Sequence, residues 1–597
     1  MTGIALTWGT PATSLSAVLD GLAHRGRFRT ERTQRPFALG AVGADERDAG
    51  VARRGERWVV ADARLADREA LVRRVGVETT APTADLIAAA FERCGPDVVH
   101  HLRGDYAFVV VDPRRRRVFA ARDPLGARPF YFRAGPKVLV CASEPGALLR
   151  DPDCPRRPHL VQVGLFLGGL HNEADETLFE GIHALQGGFS LRWDEGQDVR
   201  RRRFWMPDPW RQRRVSLEEG AELVGEVARR ALARRVPDGR VAVFLSGGLD
   251  SAAVAGALAS RRRSSGASPP LLVHARLRGD DDETEYSRAV ANAWALDCVE
   301  TDPQEDPPRS LPVPGRRADL FWEPRQGMWA QMYEAARARG VDVGLNGDGV
   351  EDCLGPSGME WADDFLQGRW RRPLVQSGVA TRPWSIRAWG RLVRTSLGRW
   401  WPSSRAEEDP AGLTRGYADI AAQVAHDRRH RRDARAYPSL AARAIGAIYE
   451  EGDAGFGAAF AERSAAHHGF ANVAALQDVE LVELLLSLPM SLRDTPGQDK
   501  AKPVFRRAFF DVVPPTIRRR SRSGTYLGLY DTVLREHGAL RAAFRGPRRL
   551  VEAGVLREAY GRAYAAGGLG PSHGRSHVDQ LVSASMCAMM ESFLKEM

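Results

Sequence analysis

The sequence predicts an α+β domain at the N-terminus, followed by an α/β domain on a parallel sheet with a helical C-terminal elaboration. Three observations predict this. Residues 38–145 carry short β-rich runs separated by turn residues and broken by one helix. An apolar strand at Val241–Leu245 enters a glycine-rich turn and then a helix, and further strands and helices alternate behind it. Beyond about residue 356 the pattern turns mostly helical. The length of 597 residues suits two to four domains, and the 43% apolar and 27% charged fractions are those of a globular chain.

In the first unit Trp58–Ala61, Tyr106–Val111, Val118–Ala121, Pro129–Phe132 and Val138–Ala142 read as strands. Thr83–Arg93 reads as the helix, with Leu86, Ile87, Ala90 and Phe91 on one face. The Arg-rich stretch Asp194–Arg214, containing Pro207 and Pro209, reads as a linker. Ser216 and Glu219 then have the spacing of a capping box, with Leu223, Val224, Val227, Ala231 and Leu232 following at helical spacing. Strands Val241–Leu245, Leu271–Leu277 and Val341–Leu345 alternate with helices Ser251–Ser260 and Glu285–Leu296.

Composition excludes several classes. The most apolar run, Val479–Leu488, is interrupted by Glu480 and Glu483, so no membrane span is expected. Met1–Trp8 has no basic lead into an apolar stretch, so no signal peptide is expected and a cytoplasmic location is. Six cysteines without a CxxC pair argue against a zinc site and a disulfide framework. The charge of +10 is weak evidence for nucleic acid, because 82 of the 86 basic residues are arginine, the mark of a codon bias. Runs such as Arg114–Arg117, Arg200–Arg203 and Arg518–Arg520 read as solvated loops.

The chemistry lies in Val241-Ala-Val-Phe-Leu-Ser-Gly-Gly-Leu-Asp-Ser251. Glycines let the chain turn so that successive N–H groups and a helix N-terminus face one point, which favours a polyphosphate. Ser246 and Ser251 add hydroxyls, and Asp250 can hold Mg²⁺ against the phosphates. No GxxxxGK[ST] occurs here. A loop lacking lysine suits pyrophosphate as leaving group, with cleavage between the α and β phosphates of ATP.

Strand, SGGLDS and helix in that order resemble the synthetase domain of the asparagine synthetase family, whose pyrophosphate-loop fold is of the adenine nucleotide α-hydrolase type. Asp282–Asn292 is similar to the family's acidic segment, and Leu345-Asn-Gly-Asp-Gly-Val-Glu-Asp352 to its G-[DE]-G-x-D-[DE] loop. Lys500–Arg522 is similar to its K-x-x-L-R-x-A-x-x-x-x-x-P-x-x-x-x-x-R-x-K segment. The resemblance implies nucleotide binding by Leu245, Ser246, Gly247, Gly248, Asp250, Ser251, Ala275 and Gly347. It implies Mg²⁺ between Asp250 and Glu351, where Asp352 is the alternative to Glu351. It gives Lys502, Arg522 and Asp348 catalytic roles: Arg522 stands at a lysine position and can supply only charge, while Asp348 is the candidate to orient or deprotonate the attacking amine.

The first unit resembles the family's glutaminase half, an N-terminal-nucleophile sandwich, through Arg103–Asp112, Ala121–Tyr131 and Ser143–Leu149. The expected division is 1–205 for this domain and 206–597 for the synthetase. The N-terminal cysteine nucleophile of such a glutaminase is replaced by Thr2, and the glutamine-holding N-G-E by Asp62-Ala63-Arg64. Ammonia is then not made, and the nucleophile is expected to be an amine already on a substrate. The branch resembled is the lasso peptide cyclases, which join an Asp or Glu side chain of a leaderless core peptide to its N-terminal amine. A leader-binding protein and a leader peptidase are the implied partners, with no nucleic acid and no membrane. The stretch 357–440, with Trp361, Trp370, Trp384, Trp389, Trp400 and Trp401, would grip an extended peptide. A β-lactam synthetase-like or ammonia-dependent asparagine synthetase-like enzyme, a tRNA-modifying pyrophosphatase-loop ATPase and a dead scaffold remain as alternatives.

Overall fold

In the computed structural model, residues 1–9, 13–47, 49–167, 175–208, 213–237, 239–304, 324–354, 413–433, 453–493, 502–520 and 548–558 are described, with single positions elsewhere. The first strand, β1 (Thr2–Trp8), is buried at every position and so lacks the alternation that marks a half-exposed strand. It lies mid-sheet, antiparallel to both β3 (Phe37–Gly43) and β9 (Leu139–Ala142). Ile4, Leu6 and Trp8 face the second sheet, while Ala5 packs with Leu15, Val18 and Leu19 of the helix Thr13–Asp20.

β10 (His183–Ala184), β8 (Tyr131–Ala134), β9, β1, β3 and β2 (Phe28–Gln34) form this sheet in that order. The second runs β12 (Arg200–Arg203), β11 (Phe189–Asp194), β7 (Arg117–Arg122), β6 (Gly104–Asp112), β5 (Arg57–Leu65) and β4 (Val51–Arg54). Their inner faces close over Val109, Val111, Phe130, Leu139 and Trp193. On the outer face of the second sheet, Tyr106, Phe108 and Val110 meet Leu86, Ile87, Ala90 and Phe91 of the helix Thr83–Cys94. The result is a sandwich of two sheets between helical layers. Arg200–Arg203 corrects the loop expected there: it is exposed, but it pairs with Phe189–Arg192 as an edge strand. Four consecutive arginines suit an edge, since their charge discourages further pairing.

The second unit opens with the helix Leu217–Arg235, and its capping box is present. Ser216 Oγ accepts from Glu219 N at 3.2 Å, and Glu219 Oε2 accepts from Ser216 N at 2.8 Å. A parallel sheet follows in the order β15 (Cys298–Thr301), β14 (Leu271–Ala275), β13 (Ala242–Phe244), β16 (Val343–Asn346), β17 (Ala471–Ala474). One face is covered by Leu217–Arg235, Leu249–Ser265 and Val479–Ser487. The other is covered by Pro324–Arg337 and Asp453–His467. Burial on both faces explains why these strands are apolar runs. Beyond residue 356 the described elements are mostly helical, as expected, and β17 is a strand that the pattern did not reveal. Its residues pair with Val343–Asn346, a partner far away in sequence. Among the described residues, no helix is long and apolar enough to cross a membrane.

Candidate functional site

From β13 the chain steps outward to β14 and β15 on one side, and then returns to place β16 and β17 on the other. The crevice beyond the carboxyl ends of β13 and β16 is therefore a topological switch point, where α/β sheets bind ligands. Leu245–Gly248 leaves β13 there and enters the helix Leu249–Ser265, while Gly347–Val350 leaves β16 beside it. Gly247 has φ +77°, and a Cβ on it would stand 2.8 Å from Glu283 Cβ. Gly347 is required for another reason: its Cβ would stand 2.6 Å from Ser251 N and 2.9 Å from Asp250 C. Without a side chain there, the two loops touch backbone to backbone.

Two serines shape the turn. Ser246 Oγ lies 3.0 Å from Ser251 Oγ and accepts from Gly248 N at 3.2 Å, while Ser246 N donates to Ser251 Oγ at 3.2 Å. Asp250, in the first turn of the helix, accepts from Lys502 Nζ through Oδ2 at 2.5 Å. Its Oδ1 is buried and has no hydrogen-bond partner. Lys502 reaches it from a left-handed backbone, φ +59°, a conformation that costs a non-glycine residue about 1–2 kcal/mol. Pro503 starts a helix directly behind it. Across the crevice Asn346 Nδ2 donates to Asp348 Oδ2 at 2.8 Å, and Glu351 Oε2 accepts from Gly349 N at 2.7 Å. Removal from bulk water, with the nearby carboxylates of Glu351 and Asp250, pushes the Asp348 carboxyl up to about 8. Three carboxylates around one point, with a buried orphan oxygen among them, are a donor set fitted to a hard divalent cation.

These residues line a cleft of ≈170 Å³ whose opposite wall is apolar: Phe244, Ala275, Leu277, Met328, Trp329 and Met332. Phe244 is packed edge-on by Trp329 and Tyr333 at 5.3 and 5.4 Å. Buried His274 lines the cleft too. Its Nδ1 lies 2.8 Å from Leu245 O and its Nε2 3.2 Å from Thr284 Oγ1, so a neutral ring donates to the first and accepts from the second. Burial holds its pKa below the ordinary value.

Of the residues expected from sequence, Leu245, Ser246, Gly248, Asp250, Ser251, Ala275, Gly347, Asp348 and Glu351 line this one cleft, with Gly247 shaping the loop behind it. Lys502 joins them through Asp250. Arg522, the Asp352 side chain and, within 357–440, Trp361, Trp384, Trp389, Trp400 and Trp401 lie outside the described residues, though the helix Arg415–Asp433 is described, as is Trp370, which is half exposed. His274 and the Met328–Met332 wall were missed. The one sequence signal for His274 was a polar residue inside the apolar run Leu271–Ala275.

Arg518–Arg520 is a correction, for it is not a solvated run. Arg520 Nη1 donates to Gly247 O at 3.0 Å, the same guanidinium pairs with Glu283, and its centre lies 4.2 Å from the Tyr286 ring. Arg506 in turn donates to the carbonyls of Ile517, Arg518 and Arg520. The C-terminal segment is thus laced onto the back of the glycine turn.

The place where the resemblance puts glutamine is filled. Arg25 is fully buried and donates to Thr2 O at 3.0 Å, to Glu144 at 2.6 Å, and through both terminal nitrogens to Glu462 at 2.9 Å. Arg128 reaches Glu462 at 3.2 Å and Asp62 at 3.6 Å. Arg235, from the helix of the second unit, donates through Nη2 to both carboxylate oxygens of Asp105, at 2.7 and 2.9 Å. Glu462 and Arg235 both come from the second unit, so ion pairs join the two units in this region.

Among known proteins, the chain is 26% identical over 231 residues to putative asparagine synthetase (glutamine-hydrolyzing) 2 of Methanocaldococcus jannaschii, covering 37% of this chain and 43% of that protein. It is 30% identical over 198 residues to asparagine synthetase (glutamine-hydrolyzing) 3 of Bacillus subtilis, covering 33% and 31%. It is 26% identical over 294 residues to amidase chyE of Penicillium rubens, covering 45% and 42%. The chain therefore spans less than half the length of these curated relatives. A solved glutamine phosphoribosylpyrophosphate amidotransferase of B. subtilis matches at 14% identity with a TM-score of 0.27, over 58% of this chain and 82% of that one, a likeness too low to carry an argument. The family model described as glutamine amidotransferase domain matches residues 66–205, and the one described as asparagine synthase matches 223–595. With the second match covering more than half of its residues and the switch-point cleft inside it, the chain belongs to the asparagine synthase family.

Proposed function

We propose that this chain is an ATP-dependent amide ligase. A substrate carboxylate attacks the α-phosphorus of ATP and pyrophosphate leaves. An amine then attacks the acyl-adenylate, forming the amide and releasing AMP. The observation that carries this reading is the convergence of Asp250, Lys502, Asp348 and Glu351 on a glycine turn at the switch point. Ser246, Gly248 and Ser251 would receive the phosphates, and Leu245 and Ala275 the nucleoside against the Met328–Met332 wall. Asp250 and Glu351 would hold Mg²⁺, which neutralises phosphate charge and polarises the α-phosphorus. Lys502 would meet the negative charge that develops there. Asp348, in its carboxylate form, would accept the proton that the amine loses as the amide forms, and its raised pKa makes it the stronger base for this. The adenylate is water-sensitive, so the cleft must exclude water as it reacts.

The finer reading is a lasso peptide cyclase. The chain would activate an Asp or Glu side chain of a leaderless core peptide and close it on the peptide's own N-terminal amine. The ion pairs at Thr2 and Asp62 support an amine carried by the substrate over ammonia made in the first domain. A leader-binding protein and a leader peptidase would act beforehand. The test is the intact mass of the leaderless peptide encoded beside this gene, after incubation with the protein, ATP and Mg²⁺. Loss of about 18 mass units with AMP formed, absent in D250N, is the expected result. Pyrophosphate release with a small β-amino acid or aspartate, and no change in the peptide, would replace the peptide reading with a small-substrate one. No ATP turnover with any of them would remove the ligase reading.

A further inference from the structure

A second set of ligating side chains lies where the two units meet, away from the cleft. His24 is in the short helix Ala23–Arg25, Glu144 precedes the helix Pro145–Leu148, and His467 ends the helix Asp453–His467 of the second unit. One ligand atom from each, two imidazole nitrogens and a carboxylate oxygen, all lie within 4.8 Å of one another. His24 Nε2 is 2.9 Å from Glu144 Oε1, and His467 Nε2 is 3.5 Å from Oε2. The two rings stack with centroids 3.7 Å apart and planes 20° from parallel, and each brings its Nε2 to one oxygen of the same carboxylate; a shared ion requires one ring to turn so that the two lone pairs converge.

The spacing decides what this cluster suits. Two ligands bound at about 2.0–2.1 Å to one tetrahedral ion stand about 3.3 Å apart. The 3.5 Å gap from His467 is longer than a good hydrogen bond and close to that edge, while the 2.9 Å contact of His24 is a hydrogen bond that an ion would replace. Arg25 Nε donates to Glu144 Oε1 at 2.6 Å, which fixes the carboxylate plane and leaves Oε2 toward His467, the part an outer partner plays at a metal ligand. Arg25 and Glu144 form a buried charge-assisted pair, so Glu144 is present as the carboxylate.

We propose that His24, Glu144 and His467 form a site for a divalent transition ion of the zinc type, shared between the two units. Two imidazoles and one carboxylate suit Zn²⁺ or Co²⁺ and are poor ligands for Mg²⁺, which takes oxygen. Three protein ligands leave a fourth position for water. Because one ligand comes from the second unit and two from the first, a bound ion holds the units together, and its binding adds to their docking. The cysteine pattern gives no hint of this site; its ligands are histidines far apart in sequence.

The test uses the full chain, stripped by chelator and kept in excess Mg²⁺ so that oxygen-only sites are filled, then titrated with Co²⁺ and with Zn²⁺. One Co²⁺ per chain should bind, giving a visible absorption band that Zn²⁺ abolishes, and Zn²⁺ should raise Tm. His24→Gln and His467→Gln should each weaken Co²⁺ binding at least tenfold. His24 is partly exposed, so H24Q is the variant expected to keep the native circular dichroism. Absence of Co²⁺ uptake by the wild type, or uptake by folded H24Q equal to wild type, overturns the proposal.

Discussion

Replacing Gly347 by alanine tests whether the contact between the two loops matters for the chemistry. The new methyl would stand 2.6 Å from Ser251 N, 2.9 Å from Asp250 C and 3.0 Å from Ser251 Cα. All three atoms are backbone, so no flexible side chain can yield. Restoring an ordinary 3.4 Å contact requires about 0.8 Å of separation between the Gly347 loop and the start of the helix carrying Asp250. Overpacking of this kind costs about 1–3 kcal/mol of stability. The catalytic cost should be larger, because a misplacement near 1 Å between reacting groups is worth about 100-fold in rate, or about 2.7 kcal/mol. Gly347 has no positive φ, so the loss is steric and not backbone strain. ATP–pyrophosphate exchange and denaturant unfolding, measured on one preparation, separate the two effects. Exchange within threefold of wild type in folded G347A would refute the argument that loop contact sets the geometry.

Glu462→Ala leaves Arg25 and Arg128 without their shared carboxylate, and breaking a buried pair costs about 3–5 kcal/mol in denaturant unfolding. A loss under 1 kcal/mol would mean that water or Glu144 replaces it. His274 is held neutral, so its contribution to stability is complete above its unfolded pKa of about 6.5 and is lost as pH falls. Asp62 and Asp123, pushed up by burial to about 6, titrate nearby with the opposite sign. The comparison with H274N therefore isolates the histidine: Tm of wild type should fall more steeply than that of H274N from pH 7 to 5, and equal slopes would exclude the effect. Thr2→Cys should release no ammonia from glutamine above background, since Arg25 already holds the Thr2 carbonyl and Arg64 stands in the glutamine-holding segment. Arg520→Gln should increase hydrogen exchange at Gly247 and Gly248 by mass spectrometry, because a charge-assisted bond worth about 1.5–3 kcal/mol is lost behind the turn; unchanged exchange would show that the serines alone hold it.

Much of the cleft could be read from sequence because its parts are local. Val241–Ser251 contains strand, turn, serines, aspartate and helix in one continuous piece, and Ser216 with Glu219 completes its cap within four residues. Such signals need only neighbours along the chain. Strands of the first unit such as Tyr106–Val111 and Val118–Ala121 were legible through β-branched and aromatic residues bounded by turns, although both faces are buried, whereas β1, Thr2-Gly-Ile-Ala-Leu-Thr-Trp8, is equally buried and has no period to mark it.

Tertiary structure decided what depends on distant partners. Sequence alone could not say that Lys502 would meet Asp250, or that Ala471–Ala474 would complete a sheet begun at Ala242. It gave arginine runs one composition, yet Arg114 is solvated while Arg520 is bound to the glycine turn. The difference is not in the residue but in which carbonyl and carboxylate the fold brings within reach. The substitutions at Thr2 and Asp62-Ala63-Arg64 were visible as letters. That ion pairs from the second unit fill the space around them follows only from the way helices Leu217–Arg235 and Asp453–His467 dock. Local order in the chain sets backbone shape, whereas the pairing of buried charges is set by long-range packing that no window of sequence contains.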